Sequence, residues 1–159
     1  MKSIYLDSGV ISYYTARLSE DPLKLADQLM THRFWDYMAL KKFKVFVSEL
    51  VEFEIGKGNL EASAKRIDVM KNYPILKVTD EAVELAKIYI KEFNLPTKAK
   101  SDAIHISLAC LTKIDYLVSW NCKHIANDDV KAKLRAYNLK HGIFLSKIRM
   151  PDDMIRGGE

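Results

Sequence analysis

Ile4-Tyr5-Leu6-Asp7-Ser8 is a short apolar run halted by an acid and a hydroxyl residue. It predicts a buried strand that stops at Asp7, after which Ser8 can cap a first helix through Tyr14. The same grammar recurs downstream. A long amphipathic stretch from about Pro22 to Leu40 leads to Lys44-Val45-Phe46-Val47, a second strand, with Ser48 placed to cap a helix that ends near Gly56 and Gly58. A helix around Glu61 to Lys71 is broken by Pro74 before a third strand, Ile75 to Val78, and Thr79 or Asp80 then caps a helix from Ala82 to Phe93. Another helix runs from about Ser101 to Leu111. Tyr116-Leu117-Val118-Ser119 is a fourth strand ending at Trp120-Asn121, a helix covers Val130 to Tyr137, and Ile143-Phe144-Leu145 is a candidate edge strand.

Short strands alternating with helices imply parallel pairing, because parallel neighbours need a crossover and the crossover is usually a helix. The expected fold is α/β, with helices on both faces of a parallel sheet. Ligands of such sheets bind beyond the carboxyl ends of the strands, where Asp7 and Asn121 both fall.

The 159 residues suit one domain spanning 1–159. A hydrophobic fraction of 48% and a charged fraction of 29% are those of a soluble globular protein. No apolar run reaches the roughly 18 residues of a membrane span and no signal peptide is visible, which points to the cytoplasm. Cys110 and Cys122 lack metal-type spacing and read as buried free thiols in a reducing compartment. The net charge is +4, with cations gathered at Lys41, Lys42 and Lys44, at Lys98 and Lys100, and at Lys131, Lys133 and Arg135. Such clusters suit a polyanion, although each can equally be a solvated helix face.

Three acids stand out. Asp7 follows a strand directly and serves either as a helix cap or as a metal ligand at the sheet rim. In the helix after Ser48, roughly 100° per residue puts Leu50, Val51 and Ile55 on an inward stripe. Glu54 lies within that stripe, while Glu49 and Glu52 project away. An inward carboxylate costs free energy unless paired, hydrogen-bonded or metal-bound, so Glu54 is expected to have a lysine, an arginine or a metal as its partner. Asp102 opens an almost wholly apolar helix, where the helix dipole favours an acid whether or not it binds metal. His105, one turn further on, reads as a satisfied core histidine rather than a ligand or base. Together the acids are hard oxygen donors suited to Mg²⁺ or Mn²⁺. Glycine-rich phosphate loops, the nucleophile elbow, the zincin motif and paired C-x-x-C are all missing.

Ile4-Tyr5-Leu6-Asp7-Ser8, Ser48-Glu49-Leu50-Val51 leading to Glu54-Ile55, Ser101 to Ala109, and Leu117 to Asn127 occur in that order. In this order they resemble the PIN-domain proteins, of the VapC-like toxin type, over nearly the whole chain. The resemblance implies a three-layer α/β/α sandwich around a parallel sheet of four to five strands. It also implies a metal-dependent endoribonuclease, commonly a homodimer and the toxin of a type II toxin-antitoxin pair silenced by a small antitoxin protein. By position Asp7, Glu54 and Asp102 match the family's first three acids, the ligands of Mg²⁺ or Mn²⁺. Asn121 stands where members commonly carry a fourth acid, so the site has one negative charge fewer and favours a single ion. Asp128 and Asp129 read as a solvated helix start. The competing expectation is a catalytically weak or inactive RNA-binding module of the same fold.

Overall fold

The computed structural model describes residues 1–157. Its sheet is built from β1 (Ser3–Leu6), β2 (Lys44–Ser48), β3 (Ile75–Leu76), β4 (Tyr116–Val118) and β5 (Lys147–Arg149) in the order β3-β2-β1-β4-β5. Every pairing is parallel. The chain first steps outward from β1 to β3, then returns to place β4 on the other side of β1. The strand order therefore reverses between β1 and β4, which is where open α/β sheets leave a crevice at their carboxyl ends.

The helices are α1 (Ser8–Thr15), α2 (Pro22–Lys41), α3 (Glu49–Ile55), α4 (Leu60–Met70), α5 (Asp80–Glu92), α6 (Lys100–Leu111), α7 (Asp128–His141) and α8 (Pro151–Ile155). A 3-10 turn at Thr97–Ala99 leads into α6. α1 packs against α2, α3 and α4, α8 packs on α2, and α5 lies along α6. This is the three-layer α/β/α arrangement expected from the sequence. The central strands are buried on both faces, with Ile4, Tyr5 and Leu6 of β1 and Leu117 and Val118 of β4 fully enclosed. Such continuous burial is what parallel strands require. α6 is buried from Ala103 to Cys110, in keeping with its apolar character. Among the described residues no helix is long and apolar enough to cross a membrane.

Several boundaries differ from the sequence expectation for identifiable reasons. Asp7, not Ser8, caps α1: its side chain accepts the Val10 N–H. α7 starts two residues earlier than expected, capped by Asn127, and runs on to His141, where Gly142 in the left-handed region ends it. The Ile143 N–H then returns to the Asn138 carbonyl. Ile143, Phe144 and Leu145 are thereby used in the helix exit, and the edge strand falls instead on Lys147–Arg149. Of the two thiols, Cys110 is buried but Cys122 is exposed, and both are free.

Candidate metal centre at the carboxyl ends of β1 and β4

Asp7, Glu54 and Asp102 come from three separate segments and line one cleft of about 270 Å³, together with Ser8, Gly9, Tyr13, His105, Trp120 and Asn121. The structure thus brings together all four positions singled out by the sequence. Glu49 and Glu52 are exposed and take no part in the cleft lining, and Asp128 and Asp129 lie exposed in the first turn of α7. A larger hollow of about 360 Å³ beside α1 and α4 shares no lining residue with the acids.

Asp7 is the deepest of the three. One of its oxygens accepts the Val10 N–H at 3.1 Å and the other accepts the Ser119 hydroxyl. Capping and lining the cleft are therefore one geometry, since the oxygen that closes α1 belongs to a carboxylate at the sheet rim. Burial pushes the Asp7 carboxyl above its ordinary value, partly offset by the positive field of His105 and by the Ser119 and Val10 hydrogen bonds.

Glu54 has a partner the sequence did not suggest. His105 Nε2 lies 2.7 Å from its Oε1, and the Ser8 hydroxyl donates to the same oxygen at 3.3 Å. The place of the lysine or arginine expected as the alternative to a metal is thus taken by a buried histidine of α6. His105 is also held from behind: its Nδ1 is 2.6 Å from the Tyr5 hydroxyl, which is 2.7 Å from Ser48 Oγ, which in turn accepts the Val51 N–H. The Val51 N–H, Ser48, Tyr5, His105 and the Glu54 carboxylate thus form one continuous hydrogen-bonded chain. Burial raises the Glu54 carboxyl, but the hydrogen bond and charge of His105, helped by Ser8 and Lys57, outweigh it and hold the group below its ordinary value. Burial also raises the Tyr5 phenol, so Tyr5 remains protonated and able to donate.

Asp102 pairs with His124, whose Nδ1 lies 2.9 Å from Oδ2. Asn121 sets up that contact, because its side-chain amide oxygen accepts the His124 backbone N–H at 3.0 Å while its backbone N–H donates to Ser119 Oγ at 2.9 Å. Asn121 is therefore the anchor of the turn that presents His124. Ser119, His124 and Tyr5 were not picked out from the sequence. Ser119 could have been, as the residue directly after a strand adjacent to that of Asp7; His124 lies in a turn whose course no periodicity reveals.

The donor set suits a hard divalent cation in chemistry: three carboxylates share one cleft, and Glu54 Oε2 and Asp102 Oδ1 have no hydrogen-bond partner among the described residues. As the side chains lie, however, each acid is turned to a neighbour. Among the described residues no three of His, Cys, Asp and Glu stand close enough to hold an ion.

No family model matches the chain's sequence, and no curated protein resembles it closely enough in sequence to count as a match. Solved structures do match in shape. VapBC2 from Rickettsia felis, crystallised bound to a DNA fragment from its promoter, aligns with a TM-score of 0.57 at 12% identity over 92% of this chain and 97% of that one. VapC20 of Mycobacterium tuberculosis, a sarcin-ricin loop cleaving toxin, aligns with a TM-score of 0.56 at 14% identity over 77% and 92%. A toxin-antitoxin complex from Klebsiella pneumoniae aligns with a TM-score of 0.56 at 16% identity over 80% and 94%. At these identities the likeness establishes a shared fold, that of the VapC-type structures.

Proposed function

We propose that the protein is an endoribonuclease that hydrolyses RNA phosphodiesters with Mg²⁺ or Mn²⁺, working as the toxin of a toxin-antitoxin pair. The observation that carries this reading is the meeting of Asp7, Glu54 and Asp102 in one cleft at the reversal of strand order. The fold shared with VapC-type toxins supports it, as do the exposed lysines at 41, 42, 44, 98 and 100. In this reading Asp7 and Asp102 hold the ion, Glu54 is a ligand or orients a ligand water, and Asn121 positions the His124 turn. A bound divalent ion supplies an activated water and offsets charge on the leaving oxygen. The chain's own contribution is orientation: Ser119 and the α1 amide fix Asp7, and the Tyr5-His105 relay fixes Glu54. A small antitoxin protein and a second copy of the chain are the proposed partners, and the cytoplasm the proposed setting.

A second reading is an RNA-binding module without hydrolysis. It is favoured by the pairing of Glu54 with His105 and of Asp102 with His124, which leaves no three donors gathered on a single point. Conservative variants separate the two. Glu54→Gln is expected to reduce cleavage of a mixed single-stranded RNA pool by roughly 100-fold or more, whereas Glu49→Gln and Glu52→Gln leave it within about 2-fold. Equal losses in all three would remove Glu54 from the site, and no cleavage by the unaltered protein would favour the binding module.

A further inference from the structure

Two aromatic rings form a wall of the carboxylate cleft, and the proposed hydrolysis leaves them without a role. Tyr13 and Trp120 both line it, with ring centroids 6.1 Å apart and planes inclined by 30°. Both are half-buried, which leaves part of each accessible. Trp120 follows Ser119, the residue that holds Asp7, and its indole N–H donates to Thr31 Oγ1 at 2.8 Å. Thr31 in turn donates to the Asp27 carbonyl of α2. The polar atom of Trp120 is thus spent on the scaffold, and the ring is fixed in orientation. Tyr13 lies one turn beyond Gly9 on the same face of α1, and Gly9 contributes no side chain to the cleft.

We propose that Tyr13 and Trp120 form a stacking wall for one unpaired nucleobase of the RNA whose phosphate lies at Asp7, Glu54 and Asp102; this rests on the ribonuclease reading above. The three acids repel a nucleic-acid backbone, so a neutral, polarisable surface close by is what can hold the neighbouring nucleotide. A base already stacked within a helix has no free face, so the substrate class is single-stranded RNA or an unpaired loop. The rings lean on each other too closely for a base to enter between them, and the base adds to the accessible face of the pair. Stacking of this kind tolerates any base.

The test is binding of a dye-labelled single-stranded RNA of about eight nucleotides, followed by fluorescence anisotropy in EDTA so that binding is read without metal. Tyr13→Leu and Trp120→Leu are expected to weaken binding by roughly 5- to 100-fold, the range of one lost base-aromatic stack. Tyr13→Phe and Trp120→Phe are expected to retain most of the affinity, and they keep the test decisive should a leucine variant fold poorly. An oligonucleotide of the same length with abasic sugars throughout is expected to bind the unaltered protein as weakly as the intact strand binds the leucine variants. Unchanged affinity in both leucine variants, equal binding of the abasic strand, or no binding of the intact strand would each overturn the wall. Failure of the two ideas is distinguishable: RNA cut with Mg²⁺ at an unchanged KM by the leucine variants removes the wall alone. Base-dependent binding without any cleavage removes the nuclease reading alone.

Discussion

Asp7 and Glu54 share a cleft but are held in opposite electrostatic conditions. Burial keeps the Asp7 carboxyl above its ordinary value, whereas His105 keeps that of Glu54 below. A group whose folded pKa is raised gives stability that is complete below its unfolded pKa and is lost as pH rises through the folded one; a depressed group gives stability above its unfolded pKa that is lost as pH falls through the folded one. In metal-free melts Asp7→Asn is therefore expected to raise the melting temperature at about pH 7.5 and to change it little at about pH 3.5. Glu54→Gln is expected to cost on the order of 1 kcal/mol at neutral pH, a loss that shrinks on acidification. Shifts of the same sign in both variants at neutral pH would contradict the assigned environments. The acids themselves were legible in the sequence, because a carboxylate at a strand end or on an apolar helix face is conspicuous. Their partners were not. His105 and His124 reach Glu54 and Asp102 from 51 and 22 positions away, and neither helical nor strand periodicity reports a meeting across the fold.

At the scale of elements, local signals placed most pieces. Ser48 and Thr79 cap α3 and α5 as expected, each accepting the backbone N–H three residues on. The misplaced piece was the last strand. Ile143-Phe144-Leu145 has the composition of a strand, whereas Lys147-Ile148-Arg149 has a single apolar residue; yet an edge strand needs only one buried side chain, and the α7 exit consumes the richer run. That exit hangs on Asn138, which is fully buried, accepts the Tyr89 hydroxyl at 2.6 Å from α5 and donates to the Phe144 carbonyl at 3.0 Å. Asn138→Ala strands a buried hydroxyl and a carbonyl, so urea denaturation should show a loss of about 2 kcal/mol with RNA cleavage per folded molecule unchanged. Lost cleavage at undiminished stability would mean that α7 acts on the site directly.

Across the whole molecule, the parallel sheet matters because its strand order reverses next to β1. The reversal is what lets Asp7, at the end of β1, meet Ser119 and Asn121, just beyond β4, while α3 and α6 bring Glu54 and Asp102 to the same rim. Four ordered motifs sufficed to anticipate this architecture, although the three solved structures named above share only 12–16% of their aligned residues with it. So few identities suffice because a parallel sheet asks for apolar strands and capped helices, which many sequences supply. The fine geometry is not encoded in that pattern: the sequence suggested a carboxylate cluster open to a cation, and the structure shows each acid already engaged with a histidine or a hydroxyl. Cleavage of end-labelled single-stranded RNA in the presence of Mg²⁺ or Mn²⁺, then in excess EDTA, then with the metal restored, bears on this most directly. Cleavage that appears with the metal, disappears with the chelator, returns on restoration and is absent in Asp102→Asn is the expected result; cutting that persists undiminished in excess EDTA, or in Asp102→Asn, would contradict a metal-dependent nuclease at this cleft.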